Sequence, residues 1–273
     1  MRKRHRRHGA VKASTVGALI LTTLAPAARA VDAPDDRDHA KPCRPTVTCT
    51  ADIVAPGEFE LEAGGAYAHG PSLSQWAFPL LLKLTVVDWL QVQVGSNGVT
   101  LVRTEPHADY FDNVVLGPKF HLVDQSKFVP SLSVSAQVSV PTFEASGYAR
   151  NTDLFFVGYA SKDLGPLHVD WNVGFDLWRL NDSPRAQGYT SLVLSTTLPA
   201  NLGIEAEGYI FSSAGSAASH DAGVRGALTY SPRSWLVVDA GGDVGLYPST
   251  RGYTVFAGVT VIPVVFWRPA KGR

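Results

Sequence analysis

Cysteine is nearly missing: two occur in 273 residues, Cys43 and Cys49, both in the segment CRPTVTC. So few exclude a disulfide-built scaffold. Two thiols with no clustered histidine also make a poor ligand set, so no metal centre is expected. In an exported chain the pair is expected to close a short disulfide loop. Charge is scarce as well. Asp, Glu, Lys and Arg make up 18% of the chain, against about 25% in soluble domains, so less of the surface is suited to water. No apolar run reaches the roughly 20 residues of a helical membrane span. There is no G-x-x-x-x-G-K-[ST] phosphate loop, and neither energy coupling nor any cofactor is expected.

The first 30 residues have their own character. A basic start (MRKRHRRHGAVK) leads into the short apolar run ASTVGALILTTLAP and then Ala28-Arg29-Ala30. That order describes a cleaved secretory signal peptide. It carries seven of the 24 Lys and Arg and none of the 24 Asp and Glu, so its removal leaves 17 positive against 24 negative groups, a net of −7. A mildly acidic mature chain makes nucleic acid an unsuitable partner.

Residues 31–57 are polar, Pro-rich and aperiodic, and read as an N-terminal extension that the disulfide orders locally. From Pro56-Gly57 onward no window has helical periodicity. Twelve candidate strands follow, at 58–69, 74–85, 89–97, 112–123, 129–141, 152–163, 167–179, 188–198, 201–212, 220–231, 234–245 and 252–262. Most are longer than the 5–6 residues usual in globular proteins and match the 9–11 residues of a tilted strand in a bilayer. Tight turns at 86–88, 124–127, 164–166, 199–200 and 232–233 alternate with longer polar or Gly-rich links at 98–111, 142–151, 180–187, 213–219 and 246–251; the link near 70–73 is short. Short turns on one side and longer loops on the other, with an even strand number, describe an outer-membrane barrel. Aromatics collect at both strand ends. Trp89, Phe128, Tyr230, Trp235 and Trp267 lie near the tight turns or the last strand's end. Tyr67, Trp76, Tyr110, Tyr148, Trp178, Tyr189, Tyr209, Phe211, Tyr247 and Tyr253 lie toward the opposite ends. Two interfacial belts are expected from this.

The strands alternate between a polar and an apolar parity. In SLSVSAQVSVP, Ser131, Ser133, Ser135, Gln137 and Ser139 oppose Leu132, Val134, Ala136, Val138 and Val140. Side chains on a strand point to opposite faces in turn, and a charge left in lipid near the midplane costs about 2–4 kcal/mol. The polar parity is therefore expected to line the lumen: Glu58, Glu60, Glu62, Lys83, Gln91, Gln93, Lys119, His121, Gln137, His168, Asp170, Asp176, Glu205, Glu207, Arg225, Asp239 and Asp243. The expected fold is an all-β, transmembrane, antiparallel up-and-down β-barrel of about 12 strands over 58–267, with a tail at 268–273. Its expected partners are outer-membrane lipid, small solutes and the barrel-insertion machinery of a Gram-negative-type cell.

Four stretches carry a family resemblance: APGEFELEAGGAY (55–67), LLLKLTVVDWLQVQVG (80–95), DNVVLGPKFHLV (112–123) and PSLSVSAQVSVPT (130–142). They resemble the outer-membrane barrels labelled for the meta-cleavage pathway of phenol degradation. In that family a Pro-Gly opens an acidic first strand. A basic residue then precedes a short Asp-containing turn, matched by Lys83 and Asp88, and a Leu-Gly-x-Lys strand follows, matched by Leu116, Gly117 and Lys119. Thr85 stands where Gly is common, and six residues follow Trp267. The resemblance implies a transporter for hydrophobic or aromatic compounds.

Taken with the polar lumen, the expected function is passive passage of small compounds through a narrow or partly plugged bore; whether residues 31–57 enter and constrict it is left open. A structural or adhesive barrel is the alternative. A lipid hydrolase would need Ser, His and a carboxylate on one strand face near the outer rim. His39, His69, His107, His121, His168 and His220 sit in no nucleophile motif, so no catalytic residue is assigned.

Overall fold

The computed structural model describes residues 38–71, 74–105, 107–142, 152–180, 183–215, 220–247 and 252–268. The expected signal peptide, residues 31–37, Tyr148 and the end of the tail lie outside the described residues. The strands are β1 (Glu58–His69), β2 (Ser74–Ala77), β3 (Leu80–Val87), β4 (Leu90–Ser96), β5 (Val99–Val102), β6 (Ala108–Phe111), β7 (Val114–Val123), β8 (Ser131–Val140), β9 (Leu154–Leu164), β10 (Leu167–Leu180), β11 (Ser183–Leu198), β12 (Leu202–Phe211), β13 (Asp221–Arg233), β14 (Leu236–Gly245) and β15 (Tyr253–Val265). Each pairs antiparallel with its neighbours, and β15 returns to pair with β1, so the sheet closes. Closure removes every edge that would leave backbone groups unpaired in lipid.

Fifteen strands make twelve crossings, because three crossings are each interrupted once. β2 and β3 both pair with β1, on either side of Phe78-Pro79. β4 and β5 are split by Asn97-Gly98, and β6 and β7 by Asp112-Asn113. The interruptions lie side by side: the Phe78 amide donates to the Asn97 and Val99 carbonyls, and the Asp112 amide to the Gly98 carbonyl at 2.8 Å. Pro79 lacks the N–H a ladder needs. Gly98 takes φ +67°, and a Cβ there would stand 2.1 Å from the Phe78 carbonyl oxygen, so the position admits only glycine.

Two expected links are partly strand. Residues 98–111 hold β5 and β6, which pair with each other. Residues 180–187 are mostly β11, whose ladder with β10 runs out to Leu180–Ser183. Gly98 keeps its loop conformation between β4 and β5; in the second link Pro184 reads as loop chemistry, and pairing with Arg179 on β10 overrides that local preference.

The burial pattern is the reverse of a soluble protein's. The fully buried side chains include Lys83, Lys119, Gln91, Glu58, Glu60 and Glu62, while Val134, Trp171, Leu192, Ile204 and Leu228 are exposed on the outer wall. The apolar parity therefore forms the outer wall, the side that an outer-membrane barrel turns to acyl chains. Val134→Arg is expected to destabilise the barrel by about 2–4 kcal/mol, read by urea titration in lipid vesicles. A loss no larger than that of Val134→Ser would place this position away from the hydrocarbon.

Candidate functional site

Residues 38–57 run inside the barrel as a finger that rises from the turn side, bends, and returns to β1. Its rising limb follows β1. Glu58 accepts the amide of Asp38 at 2.8 Å, Glu60 that of Lys41 at 2.7 Å, and Glu62 those of Cys43 and Arg44 at 2.9 Å each. The alternation of β1 puts these three carboxylates on one face, and the finger supplies a row of peptide N–H groups to meet them. Hydrogen bonds to a charged acceptor are the strong ones. Lys83 on β3 pairs with both Glu60 and Glu62 and donates to the Lys41 carbonyl at 2.7 Å. Arg268, just past β15, pairs with Glu58 at 2.9 Å.

The tip of the finger is the Cys43–Cys49 disulfide, with Cα atoms 4.3 Å apart. A buried lysine stands beside each sulfur, Lys83 Nζ and Lys119 Nζ, both at 3.9 Å. Across the tip, Glu207 on β12 accepts the amides of Val47 at 3.0 Å and Thr48 at 2.6 Å. Arg225 on β13 donates to the Pro45 carbonyl at 2.7 Å and lies 3.5 Å from Asp243. Arg44 reaches Asp239 on β14 at 3.3 Å. Its guanidinium lies against the paired glycines Gly64 and Gly258, where a Cβ would stand about 2.5 Å from it. Any side chain at either position would occupy the space that Arg44 fills.

The returning limb is held by β7, β8 and β9. Lys119 donates to the carbonyls of Thr50 at 2.5 Å and Asp52 at 3.2 Å, and its ammonium lies 4.5 Å from the Tyr159 ring centre. The Ala51 amide donates to Ser161 at 2.6 Å, and Ser131 donates to Asp52 at 2.6 Å. Buried charges persist only when paired and hydrogen-bonded; here the finger's backbone does much of that pairing.

The remaining expected lumen residues also point inward. Gln91 donates to Thr85, Gln93 to Gln91 and Gln137 to Gln93, at 3.1, 2.8 and 3.0 Å, forming a short ladder of amides. His168 lies between Asp163 at 2.6 Å and Asp170 at 3.1 Å. Glu205 is half-buried on the inward parity of β12. His121 contacts Ser133 at 3.2 Å and Asp124 at 2.8 Å. That trio holds the residue types of a hydrolytic triad, but Ser133 is 2% exposed and donates its hydroxyl to the Ala51 carbonyl beneath the finger. It also lies at the turn side rather than the outer rim. Among the described residues no group of three or more His, Cys, Asp or Glu could hold a metal ion.

Above the tip, on the loop side, is a cavity of about 490 Å³. The disulfide forms part of its lining. Phe155, Tyr159, Trp178, Tyr189 and Phe211 line it too, as do Gln93, Gln137, Asn97 and Asn113. Phe155 and Trp178 meet edge to face at 5.7 Å, and Tyr189 and Phe211 stack at 5.0 Å. This corrects the expected outer belt. Trp178, Tyr189 and Phe211 do not face lipid; they share the inward parity of Asp176, Ser191 and Glu207 and wall the cavity. Tyr209 is inward too, bonded to Asp243 at 3.2 Å. Parity held that information, and position along the strand obscured it. Tyr67, Trp76 and Tyr253 do cluster at the loop-side rim, with Tyr67 4.9 Å from Trp76 and 6.4 Å from Tyr253.

No curated protein matches the sequence. Among solved structures, the barrel is similar to an outer membrane channel from Pseudomonas putida F1, with a TM-score of 0.56 and 10% identity over 77% of this chain and 97% of that one. It is also similar to the NanC porin, with a TM-score of 0.53 and 11% identity over 74% of this chain and 98% of that one. Identities this low show a shared fold, that of outer-membrane barrels. The sequence itself goes further: residues 44–261 match the family described as "Putative MetA-pathway of phenol degradation", and the chain belongs to that family.

Proposed function

We propose that this protein is an outer-membrane channel that passes small hydrophobic or aromatic compounds without energy coupling, and that residues 31–57 restrict its bore. The observation that carries the reading is the cavity above the disulfide, about 490 Å³ and walled by aromatic rings. Sites for small molecules are typically about 300–1,000 Å³, mostly apolar, with a few placed polar groups. A cavity of this size takes a substituted single ring: the aromatics cover its faces and the amides of Gln93 and Gln137 meet its polar substituents. Likeness in fold to an outer membrane channel and a porin supports the same reading, as does the export signal expected at residues 1–30.

The test is flux. Mature protein is reconstituted into vesicles whose outer leaflet is lipopolysaccharide, and the uptake of a substituted phenol is compared with that of a disaccharide. The phenol is expected to enter faster than into protein-free vesicles, and the disaccharide is not. No acceleration for either solute would overturn the proposal and leave a structural or adhesive barrel.

A further inference from the structure

The cavity wall is one-sided in charge. Asp112, Asp153 and Asp176 line it, and among the described residues no lysine, arginine or histidine does. Two of these carboxylates are engaged by the protein. Asp112 accepts from the Asn113 amide at 2.8 Å and the Asn97 side chain at 2.9 Å. Asp153 accepts the Arg179 amide at 2.8 Å. Asp176 is different. It is 7% exposed, what exposure it keeps faces the cavity, and among the described residues no hydrogen bond or ion pair reaches it. Its ladder neighbours are Phe155 on β9 and Gln187 on β11. Gln187 accepts from the Trp178 indole at 3.1 Å and donates to the Ser212 carbonyl at 2.7 Å. A carboxylate that is buried and unpartnered is costly, and here it opens into a chamber walled by Phe155, Trp178, Tyr189 and Phe211. Aromatic faces attract cations, and more strongly where water is excluded.

We propose that this cavity is a binding site for a small aryl-alkyl ammonium ion, with the ammonium on the Asp176 carboxylate and the ring against the aromatic walls. The inference rests on the cavity being the solute site of the proposed channel and adds a charge preference: cationic over neutral, and neutral over anionic. An aromatic carboxylate of the same shape meets Asp112, Asp153 and Asp176 on the wall, while Lys83 and Lys119 stand behind the disulfide, engaged by the finger's carbonyls.

Calorimetric titration of the mature protein in non-ionic detergent tests this, with 2-phenylethylammonium, 2-phenylethanol, phenylacetate and ethanolamine as ligands. The phenylethylammonium ion is expected to bind at least tenfold tighter than the alcohol, phenylacetate not to bind, and ethanolamine, which has no ring, to bind at least tenfold more weakly. Asp176→Asn, near-isosteric and checked for folding by its heat-modifiable gel mobility, is expected to abolish the preference for the ammonium while keeping affinity for the alcohol. Equal binding of ammonium, alcohol and carboxylate to the native protein overturns the inference even if the variant fails to fold. So does an unchanged ammonium preference in Asp176→Asn, or ethanolamine binding as tightly as the aryl amine. Vesicle flux separates the two proposals: ammonium-selective binding without flux defeats only the channel, and flux without ammonium selectivity defeats only the cation site.

Discussion

Replacing Lys83 by methionine is expected to destabilise the barrel by about 3–5 kcal/mol, the range seen when one member of a buried ion pair is removed. Lys83 is 2% exposed, and its ammonium serves Glu60, Glu62 and the Lys41 carbonyl together. Methionine fills a similar volume, so the loss reports charge rather than a void. Glu60 and Glu62 are wholly buried, and without the ammonium the hydrogen bonds left to them among the described residues come from peptide N–H groups of the finger. Adding Glu60→Gln to the variant is expected to recover part of the loss, because one of the two stranded charges is removed. The measurement is urea unfolding in lipid vesicles. A loss below about 1 kcal/mol, the level of a solvated surface pair, would mean that water reaches these groups and that the finger does not seal against β1.

Deleting residues 31–57 is expected to raise single-channel conductance severalfold. The finger occupies the space between Glu58, Glu60, Glu62 and Lys83 on one wall and Lys119, Ser161 and Glu207 on the other. Once it is gone, those groups face water, which hydrates them and fills the bore. A barrel of twelve strands lies between the eight-stranded type, which side chains fill, and the 16–18-stranded porins with aqueous channels. Its free lumen is therefore wide enough for water and ions. Heat-modifiable mobility verifies that the shortened barrel is closed. A closed barrel with unchanged conductance would overturn the constricting role assigned to this segment.

Much of the barrel was legible because strand periodicity is a local signal. The run EFELEAG shows its wet and oily faces in the sequence itself, and the acidic parity of β1 points inward as that pattern requires. The number of crossings was legible for the same reason. The upper hairpins were not: Gly98, and Asn181 through Pro184, carry turn chemistry, and only pairing with a neighbour extends the ladders through or up to them. The sequence left open whether residues 31–57 enter the lumen, and offered no path for the segment 38–57, which does. What fixes its path is the meeting of Glu58, Glu60 and Glu62 with backbone amides 18–20 residues earlier in the chain, and a peptide N–H has no sequence signature. The aromatic cavity was missed for a third reason. A tyrosine or tryptophan near a strand end fits an interfacial belt, and only its parity with Asp176 or Glu207 assigns it to the inside.

The way the finger is anchored bears on how such a channel would open. One limb is tied to β1 and β3, the tip to β12, β13 and β14, and the other limb to β7, β8 and β9, while the disulfide joins the limbs at the tip. A small axial slip would break the Glu58, Glu60 and Glu62 contacts together with those of Glu207 and Lys119, because all of them share one rigid register. Partial withdrawal therefore has no stable halfway position. Conduction through this barrel should appear in recordings as discrete, long-lived levels, not as graded flicker.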